Sequence, residues 1–153
     1  MTMRLFSVFF AFLTGVWQGP SNPATLQVSY AAVSDKDTAN KGSVTVTVKT
    51  GEVRSAIVWE SECHLAARAN AAAAAPGVDQ YWTFQATLAS SSDGRPGLRV
   101  KYQRTRIAAA GPQPPEQQQW LPLDGTTPLV VTESSWRKNC RYKQFTITVT
   151  GQN

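Results

Sequence analysis

A chain of 153 residues with 42% apolar side chains is long enough for one domain with a real core and too short to expect two. Fifteen Lys and Arg against ten Asp and Glu give a formal charge of +5 and a pI near 9.5, which favours anionic partners without choosing among them. Two cysteines and one histidine exclude an ordinary four-ligand zinc site without carboxylate help. No glycine-rich phosphate loop, nucleic-acid motif or Gly-x-Ser-x-Gly elbow occurs, so no cofactor is expected.

In chain order, Arg4 precedes a mainly apolar run from Leu5 to Trp17, which gives way to the polar, turn-prone GPSNP. A positive residue, an apolar stretch of about 7–15 residues and a polar exit describe a secretory leader, whereas a membrane-spanning helix needs about 20 residues. The expectation is a signal peptide over 1–19, an extracytoplasmic (periplasmic or secreted) protein, and one β-domain over 20–153 with no further membrane span. No cysteine stands just after Gly15, which disfavours a lipid-anchored lipoprotein. Loss of Arg4 with the leader would lower the charge from +5 to 5 − 1 = +4. The stretch GVWQG, residues 15 to 19, also resembles the Gly-x-Trp opening strand of lipocalin-like barrels, a rival reading of the same residues. In an exported chain Cys63 and Cys140 pair most simply, since that compartment is oxidising.

The body of the chain alternates with period two. TLQVSYAAV (25–33) puts Leu26, Val28 and Tyr30 on one face, and GSVTVTV (42–48) does the same for Val44, Val46 and Val48. After a turn at Thr50-Gly51, EVRSAIVWESEC places Val53, Ile57, Trp59 and Cys63 on one side, which assigns the half-cystine to the core face. Glu60, Glu62 and His64 then share the opposite side, a carboxylate–histidine set that could hold a metal or do acid–base work; a solvated face gives the same alternation. HLAARANAAAAAPG (64–77) has high helix propensity but only Leu65 as a large apolar residue, so it is either a short surface helix or a loop.

YWTFQATL and GLRVKYQRTRI form a hairpin around Ser92-Asp93-Gly94, with Leu88 opposite Leu98 and Gly94 at the left-handed position of a three-residue loop. Pro96 marks an edge or a strand end. Strict alternation points Arg99 and Lys101 outward and Arg104 and Arg106 inward, an expensive place for a guanidinium. One bulge near Gln103 would return all four cations to the outer face. AAAGPQPPEQQQ (108–119) reads as an extended surface connection, and Asp124-Gly125 as a two-residue hairpin turn between WLPL and TTPLVV. A second basic group, Arg137, Lys138, Arg141 and Lys143, surrounds Cys140, with Trp136 beside it as an exposed aromatic; Phe145, Ile147 and Val149 face inward along the last strand.

The order Cys63, Trp82, Cys140 resembles the immunoglobulin fold, in which a tryptophan packs on a bridge between the sheets, although Lys138 stands where that fold commonly has tyrosine. No functional residue carries over. The elements predict an all-β domain, a mainly antiparallel sandwich of about seven to eight strands, with a small closed barrel as the alternative.

The functional expectation is a non-catalytic binding or structural module that recognises an anionic cell-surface polymer or an acidic protein. Its basic surface would hold Arg99, Lys101, Arg104, Arg106, Arg137, Lys138, Arg141 and Lys143, with Trp136 nearby; a merely solvated sheet face with edge-protecting cations is the plainer reading. Two alternatives are a hydrolase or metal-dependent enzyme using Glu60, Glu62 and His64, and an outer-membrane barrel, which the absence of a lipid-facing band and aromatic girdles disfavours.

Overall fold

A computed structural model describes residues 23–33, 40–70, 77–107 and 111–153. The leader assigned to 1–19 and the alanine run at 71–76 lie outside these residues. Nine strands follow in order: β1 (Ala24–Ala32), β2 (Lys41–Val48), β3 (Arg54–Ser61), β4 (His64–Ala69), β5 (Gln80–Ser90), β6 (Pro96–Arg106), β7 (Gln117–Pro122), β8 (Leu129–Ser134) and β9 (Gln144–Gln152). They form a four-stranded sheet, β2-β1-β9-β8, and a five-stranded sheet, β4-β3-β5-β6-β7, every neighbour antiparallel. The sheets pack face to face as a sandwich and do not close into a barrel.

Alternation explains most of the core. Leu26, Val28, Val46 and Val48 bury against Phe84, Ala86, Leu98 and Val100 from the other sheet, and Phe145, Ile147 and Val149 complete the four-stranded side. Facing rows of β-branched and aromatic side chains exclude water between the sheets, and each large one contributes about 1.5–3 kcal/mol.

The β5–β6 turn forms as expected. Ser91 N–H donates to the Arg95 carbonyl and Gly94 N–H to that of Ser91, and Gly94 has φ 84°. Leu88 faces Leu98, and Pro96 is the first residue of β6, where its missing N–H costs no interior ladder bond.

Several expectations change. The strand count is nine because HLAARA is a strand, not a helix. Glu62 and Cys63 have φ 48° and 65°, a tight turn that folds β4 straight back on β3 and pairs Ser61 with His64. Left-handed backbone at non-glycine residues costs about 1–3 kcal/mol each and needs surroundings that enforce it. Asp79 Oδ2 accepts the Glu62 N–H at 3.0 Å, Asn40 Oδ1 accepts that of Leu65 at 3.0 Å, and Cys63 is bonded to Cys140. Alanine's helix propensity loses to this ladder, and Leu65 is buried with Ala67 and Ala69 packed beside the core.

The inward face of β3 is also reversed. Ala56, Val58 and Glu60 point into the core, Val53 is 64% exposed, and Trp59 is half-buried on the outer side with the Arg68 guanidinium 6.0 Å from its ring centre. The apolar run Ala56 to Trp59 fits either parity, and Cys63, used to choose one, belongs to the turn rather than the strand. The disulfide therefore ties the β3–β4 turn to the β8–β9 loop at one end of the sandwich, instead of joining the sheet centres as the immunoglobulin-like order implied.

Asp124-Gly125 is not a hairpin turn, because β7 and β8 lie in different sheets. The segment crosses between layers, and the Asp124 carboxylate accepts the N–H groups of Thr126 and Thr127, both at 2.9 Å, and the Thr127 hydroxyl at 2.7 Å. Those bonds, the Thr126 N–H foremost, hold its pKa down at about 2 from an ordinary 3.8.

Finally, β6 carries no bulge. Its pairing with β5 runs in unbroken register from Ser90 opposite Pro96 to Gln80 opposite Arg106, so Arg104 and Arg106 stay on the inward face. Partners meet part of each guanidinium, although the Nε of both stays buried without a hydrogen bond. Arg104 pairs through Nη1 with Glu133 of β8 and lies 5.7 Å from the Trp82 ring centre, while Arg106 lies 6.0 Å from that of Trp136.

Candidate anion-binding face

The predicted basic cluster divides in two. Arg99 and Lys101 occupy consecutive outward positions of β6, on the solvent face of the five-stranded sheet, and both are exposed. Register sets their neighbours: Thr87 and Trp120 flank Arg99, and Gln85 and Gln118 flank Lys101. Among the described residues neither cation forms an ion pair. Arg104 and Arg106, in contrast, serve the gap between the sheets.

Trp120 is held in place on this face. Its Nε1 donates to the Ala89 carbonyl at 3.0 Å, so the indole reaches across β6 to β5. Gly97 makes that crossing possible, since a Cβ there would overlap the ring. Arg95 covers the ring with its guanidinium 5.2 Å from the centre and is itself held by Asp93 at 3.0 Å. Asp93 has a lowered pKa, first from the Ser91 hydroxyl and then from Arg95. This fixed tryptophan–arginine stack borders Arg99.

Two adjoining cavities lie on the face. One, of about 540 Å³, is lined by the Ser90–Asp93 turn, Arg95, Arg99, Gln118 and Trp120. The other, of about 260 Å³, continues along the sheet between Tyr81, Thr83, Gln85, Lys101, Gln103 and Thr105, with Glu116 at its rim. Trp120, Arg95 and Gln118 were not among the predicted site residues. Period-two alternation in QQQWLP already put Gln118 and Trp120 on one face, but only strand order shows that this face adjoins Arg99.

The second basic group lies in the loop 135–143. Arg137, Lys138, Arg141 and Lys143 are exposed, and Trp136 is half-buried rather than free in solvent. Arg137 donates from Nε and Nη2 to the Asp79 carboxylate at 3.0 and 3.3 Å, which raises the guanidinium's pKa. Lys143 Nζ donates to the Lys138 carbonyl at 2.9 Å. The bridge to Cys63 then anchors the loop against the end of β3.

Glu60, Glu62 and His64 do not form a common site. Glu60 is 1% exposed and faces the core, where Oε1 accepts Gln80 Nε2 at 3.1 Å and the Trp136 N–H at 2.7 Å, and Oε2 accepts the Tyr142 hydroxyl. Glu62 lies in the turn and His64 opens β4, both exposed. The turn breaks the alternation on which their shared face depended. No cluster of three or more His, Cys, Asp or Glu able to hold a metal occurs among the described residues.

A further shallow cavity, of about 620 Å³, lies on the four-stranded sheet among Ser29, Tyr30, Lys41, Ser43 and Thr148. Among the described residues its lining is mostly hydroxyl and apolar, with Lys41 the one cation. Compared with protein-family models, with curated proteins and with solved structures, the chain matches none.

Proposed function

We propose that this is an exported, non-catalytic module that binds an anionic polymer across the outer face of its five-stranded sheet. The observation that carries the reading is the pair Arg99 and Lys101: two exposed cations on one face, in no ion pair among the described residues, opening onto two adjoining cavities. A cation whose charge is not already spent on a neighbour is available to a ligand, and cations spaced along a strand suit a repeating anion better than a single one. Arg104 fits this role poorly, because its charge is paired with Glu133 at 15% side-chain exposure. Export is supported by the leader-like N-terminus and by a disulfide suited to an oxidising compartment.

The test is retention on immobilised heparin, used as a generic polyanion, across a salt gradient. Replacing Arg99 and Lys101 together by Gln is expected to weaken binding about tenfold and move elution to lower salt. Unchanged elution of the folded variant would reject the face, and a shift only on replacing Lys138 and Arg141 would transfer the site to the loop.

A further inference from the structure

We propose that the face takes a linear acidic glycan lengthwise, along β5 and β6, with an acid group gripped at each end and uncharged sugar between. This rests on the binding face proposed above and adds the direction, length and chemical class of the ligand. Cations stand at two ends of one groove. Toward the β5–β6 turn stands Arg99, with Arg95, already paired with Asp93, beside it and Lys101 one outward position further along β6. At the opposite end the buried Asp79 precedes β5, two positions before Tyr81, with its N–H on the Glu60 carbonyl and its own carbonyl accepting the Ile107 N–H, and Arg137 docks on its carboxylate. The exposed Lys138 follows Arg137 in the chain and the exposed Arg141 follows Cys140, whose bridge ties this loop to the β3–β4 turn; both are assigned to that end.

The middle is different. Between the ends the walls are Thr83, Gln85, Gln103 and Thr105, hydroxyl and amide groups that pair with sugar hydroxyls, with Tyr81 as an aromatic surface and, among the described residues, Glu116 as the only charge other than Lys101. A uniformly charged chain such as single-stranded nucleic acid would meet Lys101 alone between the ends and would set further phosphates against Glu116. A glycan with spaced acid groups meets cations at the ends and neutral donors and acceptors between. The distance sets a length: from Thr87, opposite Arg99, to Asp79 the extended chain covers about 26 Å at about 3.3 Å per residue, so an oligosaccharide must exceed a disaccharide to touch both ends. Linking two weak contacts through one ligand raises affinity steeply once the span is reached.

The experiment titrates the full chain with hyaluronan fragments, in which acidic and uncharged sugars alternate: a disaccharide, a decasaccharide, and a single-stranded dT oligomer of similar length as competitor. The decasaccharide is expected to bind at least tenfold more tightly than the disaccharide and than the dT oligomer. Lys138→Gln with Arg141→Gln is expected to remove most of that gain while leaving disaccharide binding within twofold. A decasaccharide no tighter than the disaccharide, a gain that survives the double variant, or a dT oligomer that binds more tightly would each overturn the proposal. Loss of all glycan binding together with heparin retention insensitive to Arg99 and Lys101 would instead overturn the underlying face and this inference with it.

Discussion

Among single residues, Glu60 carries the largest consequence. Its buried carboxyl collects donors from three separate parts of the chain: Gln80 on β5, the Trp136 backbone in the β8–β9 loop, and Tyr142 just before β9. Gln80 and Tyr142 are each 1% exposed, and loss of a buried hydrogen-bond partner costs about 1–3 kcal/mol. Glu60→Leu is therefore expected to lose about 3 kcal/mol or more in urea denaturation, while Glu60→Gln, which keeps an acceptor for some of these donors, loses roughly half as much. Equal losses for the two would show that the cost is one of shape rather than hydrogen bonding. Sequence alternation alone put this residue on the solvent side, since an acid on a polar-looking row carries no sign of the donors that surround it after folding.

Among elements, β6 shows how far local pattern reaches. Alternation places Arg99 and Lys101 outward, as found, and asks for a bulge on the inward row that the regular ladder does without. The reason is partnership: Glu133 arrives from the other sheet, and the Trp82 and Trp136 rings lie under the guanidinium groups. The start of the same strand depends on close approach. A side chain at Gly97 would overlap the Trp120 indole and the Leu121 carbonyl, so Gly97→Ala must displace the ring or bend the β6–β7 ladder. That substitution is expected to cost roughly 1–3 kcal/mol and to change tryptophan emission, with heparin retention reduced because the wall beside Arg99 moves. A variant with wild-type emission and stability would show that the indole is not seated on β6 as described.

For the whole molecule, the disulfide closes a loop of sequence separation 77 and holds two loops of different sheets at one end of the sandwich. On a chain-entropy model such a loop is worth about 4 kcal/mol. Replacing Cys63 and Cys140 by Ser is expected to lower the denaturation midpoint accordingly and to loosen the β8–β9 loop first, seen as faster amide exchange over 135–143 than over β5 and β6. Uniform exchange across the domain would argue that the bridge supports the core as a unit. The all-β class, the sandwich, the β5–β6 turn and the cysteine pairing were all legible without coordinates, because period-two burial, turn stereochemistry and an even thiol count are local or compositional properties. What only the folded molecule decided is which strands are neighbours, which face of β3 is inside, that alanine-rich β4 is a strand, and that Arg99 and Lys101 part from Arg104 and Arg106, so that the eight cations fall into three groups. Those outcomes depend on partners distant in the chain, Glu133 for Arg104, Asp79 for Arg137 and Cys140 for Cys63, and the chain near each residue carries no record of the side chain that will meet it.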